Sequence, residues 1–159
     1  MISQLYNSNL DSKSIVNFDY SILAVQDIKT IELEVNNLDF SDINAKLISE
    51  YSWSQDKVEK VSLLYRKWIV LQKAYPELSI APSESIDEYW HMHILDTRKY
   101  MIDCMTVFGY YLHHYPYFGL KGDSEDLDRG FEITRNLFKI HFNQELLDSA
   151  NPCKSTSCR

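Results

Sequence analysis

The chain has 159 residues, 45 % hydrophobic and 25 % charged, a balance that fits one soluble folded domain and excludes a disordered chain. Its formal net charge is −7, from 23 acidic and 16 basic residues, and the Lys and Arg are spread along the chain, so a phosphate backbone would be repelled. No apolar run approaches the ~20 residues of a membrane span, and no basic segment leads into an apolar one near Met1, so neither nucleic-acid nor membrane partners are expected and the reading is cytoplasmic.

Three cysteines, Cys104, Cys153 and Cys158, are an odd number, which argues for reduced thiols rather than a secreted disulfide framework. The 11 Tyr, 7 Phe and 3 Trp make a heavy core whose phenols need polar partners when buried.

Residues 1–36 carry mixed signals. Within them "TIELEV" (30–35) alternates apolar and acidic side chains, as a short half-buried strand does, so a short N-terminal strand or an extended arm is expected. From 41 onward the pattern is helical. Ser41 reads as an N-cap, with Ile43, Leu47, Ile48 and Tyr51 behind it at helical spacing. Ser54 caps the next segment, whose apolar face is Val58, Val61, Tyr65, Trp68 and Leu71 and which Pro76 stops near Tyr75.

After "PELSIAPS", Ser85 and Glu88 fit the S-x-x-E capping box of a helix starting at about Ile86. Asp96 then caps another, with Tyr100, Cys104, Val107, Phe108 and Tyr111 on one face. "HHYPYFGLKGD" (113–123) reads as loop, punctuated by Pro116, Gly119 and Gly122. Ser124 caps a last helix, where Leu127, Phe131, Thr134, Phe138 and Phe142 recur every three to four residues. The expected architecture is all-α: a single compact domain of about five helices. An N-terminal arm covers 1–36, the helical domain with its histidine cluster 37–148, and a flexible Cys-containing tail 149–159.

Four of the five histidines, His91, His93, His113 and His114, fall within "WHMHILDTRKYMIDCMTVFGYYLHH". In a straight helix successive residues are ~100° apart, so His91 and His93 diverge by ~200° and do not grip one ion from an unbroken turn. A cupin-like His-x-His would need strands, and the helical spacing opposes them. A break at Asp96 lets the last turn fray so that both imidazoles reach a common centre, and a hairpin of the two helices returns His113 or His114 to it.

Asp87, four residues before His91 and on its face, is placed to orient that ring as outer carboxylates orient metal-bound histidines. Cys104 lies on the next apolar face. The competing reading makes the histidines hydrogen-bonded core residues beside Trp90, and Cys104 a small buried hydrophobe. His141, between Lys139 and Asn143, reads as exposed. "GLKG" (119–122) matches the G-x-x-G loop of nucleic-acid-clamping modules, but acidic "DSEDLD" follows it directly. Cys153 and Cys158 supply half a zinc site at most.

"IDEYWHMHILDTRKYMIDC" followed by "FGYYLHHYPYFG" resembles the core of the glycine-rich-domain-containing-protein-like family. The resemblance runs through Asp87, Trp90, His91, His93, Leu95, Tyr100, Cys104, Gly109 and His114, is tightest over about 60–142, and points to a short bacterial-type member without the glycine-rich tail. It implies a compact helical domain with a polar centre at the histidines.

Two functional expectations follow. The first is a transition-metal site for zinc or iron, with His91, His93 and His114 as ligands, Asp87 orienting His91 and Cys104 lining the centre. The second is a metal-free interaction module, with a buried His/Trp/Tyr network and a protein partner docked on the 113–119 loop.

Overall fold

The computed structural model describes residues 25–149. The first 24 residues of the expected arm, and the tail with Cys153 and Cys158, lie outside the described residues. Six helices follow one another: α1 (Val25–Asn36), α2 (Ser41–Tyr51), α3 (Gln55–Ala74), α4 (Glu84–Leu95), α5 (Thr97–Val107) and α6 (Ser124–Phe142). They form a single all-helical domain, and no strand occurs among the described residues.

The expected strand at 30–35 is helix. Its alternation came from a window too short to include Ile28. Ile28, Ile31 and Val35 are spaced for one helical face, and Ile28 and Val35 are buried, whereas Leu33, which the alternation counted as inward, is 69 % exposed. The face packs on α3. Arg66 of α3 donates to the carbonyls of Val35 at 2.7 Å and Leu38 at 2.9 Å, closing the C-terminal end of α1, whose last turn has no basic residue of its own.

Helix α3 is the hub, touching α1, α2, α4 and α6. It begins where Ser54 accepts from the Lys57 amide at 3.2 Å, as expected, and its Tyr65, Trp68 and Leu71 are among the most deeply buried side chains. Each such side chain contributes roughly 1.5–3 kcal/mol by leaving water.

Other caps sit elsewhere than expected. Ser83, not Ser85, accepts from the Ile86 amide, and Ser85 bonds Asp148 instead. Ser41 is the first residue of α2, its amide held by Asp39. Asp123 occupies the cap position before Ser124, but its carboxylate accepts from the Gly119 and Lys121 amides of the "GLKG" turn. Asp96 caps α5 as expected, accepting from the Lys99 amide at 3.3 Å.

The connector between α3 and α4 lies against α6. The Thr134 hydroxyl donates to the Ala81 carbonyl at 2.6 Å, and a Cβ at Gly130 would stand 3.1 Å from the Ser79 carbonyl oxygen. A side chain there would press on that carbonyl, so glycine suits the close approach of the two backbones.

Candidate metal site

Helix α4 runs unbroken through Leu95, so the frayed turn that would have gathered His91 and His93 does not form. The two imidazoles leave on different sides of α4, as an intact helix requires. The structure brings together Asp87, His91 and His114 and leaves His93 apart from them.

Asp87 and His91, one helical turn apart, share a face. His114 comes from the segment after α5, while its neighbour His113 is exposed. The His91 and His114 Nε2 atoms are 3.0 Å apart. His114 Nε2 lies 2.9 Å from Asp87 Oδ1, and His91 Nε2 lies 3.6 Å from Asp87 Oδ2. Asp87 is thus more than the partner orienting His91: its nearer contact is to His114, and its carboxylate faces the same point as both rings. Among the described residues these three offer ligand atoms within 4.8 Å of one another, a grouping able to hold a metal ion.

Their surroundings are partly dry. The Asp87 side chain is 5 % exposed and those of His91 and His114 are 13 %. Burial holds the His91 imidazole below its ordinary pKa, with the His114 ring adding to this and Asp87 opposing it. A neutral imidazole is the form that ligates a metal. The Trp90 ring lies against His114, with centroids 4.4 Å apart.

His93 occupies a different network. Its Nε2 is 2.9 Å from Asp103 Oδ2 and its Nδ1 is 2.9 Å from the Tyr65 hydroxyl. Burial would raise the Asp103 carboxyl, but hydrogen bonds and charge from His93 and Lys99 outweigh it and hold the group below its usual range. A carboxylate only accepts, so His93 Nε2 carries the proton and Nδ1 accepts from Tyr65. Burial keeps His93 neutral, against the pull of Asp103.

Cys104 lines a void of about 10 Å³ beside His93, Tyr100 and Tyr65, room for one water at most, and does not reach the Asp87 cluster's ligand group. Burial pushes its thiol up, partly offset by hydrogen bonding to the Leu112 backbone and Tyr100. His141 is half-buried rather than exposed, its Nε2 2.6 Å from the Tyr75 hydroxyl. The acidic residue as a ligand could have been found in the D-x-x-x-H spacing, which puts a carboxylate and an imidazole on one helical face. Nothing in the sequence singles out Asp103.

A family model described as UCP032817-like matches residues 32–155. The chain belongs to the UCP032817-like family. The match takes in α2 to α6 with every residue of both histidine networks, and it replaces the resemblance to the glycine-rich-domain-containing-protein-like family, which is not indicated, together with the bacterial-type assignment drawn from it. Of the nine residues that carried the resemblance, Trp90, His93, Tyr100 and Cys104 are buried core positions, whereas Leu95 is exposed. The UCP032817-like description names no activity. Comparison with curated proteins and with solved structures finds no match. No helix among the described residues is long and apolar enough to cross a membrane.

Proposed function

We propose that this protein binds one divalent transition metal, zinc or iron, through Asp87, His91 and His114. The observation that carries the reading is the convergence of two Nε2 atoms and a carboxylate at 2.9, 3.0 and 3.6 Å. His114 Nε2 has room for one proton yet faces both an imidazole nitrogen and a carboxylate oxygen. A cation among the three satisfies them together. Ligands about 2.0–2.1 Å from a tetrahedral ion stand roughly 3.3 Å from one another, and the observed spacings bracket that value.

Two histidines and one carboxylate are the donor set of non-haem iron sites and of hydrolytic zinc sites. Three protein ligands leave positions open, where an ion can polarise a substrate oxygen or lower the pKa of bound water. We read the protein as cytoplasmic, where Cys104, free and buried, stays reduced.

Elemental analysis of tag-free protein, expressed with zinc and iron available, tests this. Near one metal per chain is expected, lost in His91→Ala and His114→Ala and kept in His93→Ala. Metal far below stoichiometry in a folded, monodisperse sample overturns it.

A second reading is a metal-free interaction module. It is favoured by the exposed Tyr110, Tyr115 and Tyr117 in the loop after α5, an aromatic group of the kind that anchors partners. Under it, His114→Ala would weaken partner binding while metal content stayed at background in the wild type.

A further inference from the structure

The Asp87 and His91 side chains are placed by one helix. His114 is not: residues 109–123 contain no helix, and a ligand on a loop is held less well than one on a helix unless neighbouring bonds lock it. The lock is visible two residues upstream. The Tyr100 hydroxyl donates to the Leu112 carbonyl at 2.6 Å, and the hydroxyl oxygen accepts from Trp90 Nε1 at 2.8 Å. Trp90 in turn lies against the His114 ring. The contacts close a ring from α4 through α5 to the loop and back: Trp90, Tyr100, Leu112, His114, Trp90. Tyr100 is 2 % exposed, so water does not compete for its hydroxyl.

We propose that Tyr100 is a positioning residue for the metal ligand His114, acting through the Leu112 carbonyl. The inference rests on the metal reading above and adds what sets the site's affinity. The Tyr100 ring also packs edge-on against His93 and Tyr111, with centroids 4.9 and 5.1 Å away. Ring and hydroxyl therefore do separable jobs. Phenylalanine keeps the packing and deletes both hydrogen bonds of the hydroxyl, to the Leu112 carbonyl and from Trp90.

The test is titration of full-length wild type, Tyr100→Phe and Trp90→Phe with cobalt(II), read by competition with a chromophoric chelator and by the visible absorption of bound cobalt. Tyr100→Phe is expected to keep the wild-type helical circular dichroism while its cobalt Kd rises roughly 10–100-fold, the usual cost of losing an outer-shell partner. The cobalt bands should shift as His114 moves. Trp90→Phe should move both readouts in the same direction. A purely structural role would leave the spectrum of the bound ion unchanged.

Tyr100→Phe with the wild-type Kd and spectrum overturns the positioning role alone. Wild type that takes up no cobalt overturns the metal reading, and the positioning role with it. Should Tyr100→Phe not fold, solvent exchange of the wild-type Tyr100 hydroxyl and Trp90 indole protons decides, because both protons sit in the lock. Slow exchange of the two supports the lock, and exchange as fast as for the hydroxyl of exposed Tyr110 overturns it.

Discussion

His91 and His93 stand two residues apart on one helix and meet opposite fates. His91 opens onto a half-buried edge where His114 and Asp87 crowd the same point. His93 points into the core, where Tyr65 and Asp103 take one ring nitrogen each. Every polar atom of the second ring has a complementary partner, donor to acceptor, so that network is complete as it stands. The first gathers three groups that all ligate cations. The difference teaches that a histidine's partners separate a ring tied into the core from one gathered with other groups able to ligate a cation.

The largest effect expected falls on the buried network. Asp103→Ala removes the acceptor of His93 Nε2–H and the partner of Lys99, and breaking a buried pair from one side costs about 3 kcal/mol. Urea unfolding should show that loss with metal content unchanged. Asp87→Ala should do the reverse, with metal lost and the metal-free protein weakened by only about 1 kcal/mol. If Asp103→Ala empties the site as well, the two networks are one and the comparison breaks.

Next is the ion's own contribution. Zinc at 100 times its Kd should stabilise wild type by about 2.7 kcal/mol against unfolding. His93→Gln should keep that increment and His91→Ala should lack it, both seen as shifts in the thermal midpoint. Tyr65→Phe deletes only the hydroxyl that donates to His93 Nδ1, at a cost of about 1–2 kcal/mol with no change in metal uptake.

The smallest effect is the pH dependence. Burial holds His93 below its ordinary 6.5, so the unfolded chain takes up the proton first. Stability is full above pH 6.5 and falls as pH drops from there to the lower folded value, where it levels off. Asp103 acts lower: its depressed carboxyl contributes above the ordinary 3.8, and that contribution is lost as pH falls through its folded value. Urea midpoints of metal-free wild type between pH 7.5 and 5 should decline, and His93→Gln should make the decline shallower.

The sequence stated the helical class and five of the six helices closely, because apolar spacing over 11–20 residues averages out local accidents. It failed at "TIELEV", where six residues are too few to tell a period of 2 from one of 3.6 when Leu33 happens to face water. Of the site, Asp87 with His91 and the return of His114 were legible from one helical turn and one hairpin. The role of His93 was not. Its partners Tyr65 and Asp103 lie 28 and 10 residues away, and nothing local marks them. Asp103 sits inside an ordinary amphipathic pattern, and only the crossing of α5 over α4 turns it inward.

The docking of the α3–α4 connector on α6 also bears on the order in which the chain assembles. Helices α1 to α5 find partners one or two helices away in sequence, through contacts that close shorter loops than those of α6. The bond from Thr134 to Ala81 spans 53 residues, and the close approach at Gly130 belongs to the same joint. Before α6 arrives, the connector is held from the α3 side, where Trp68 Nε1 and Gln72 Nε2 donate to the Ile80 carbonyl, and its other side is uncovered. The expected sequence is early collapse around α3 with α6 closing last, and pulse-labelled hydrogen exchange would contradict it if α6 amides gained protection before those of α3.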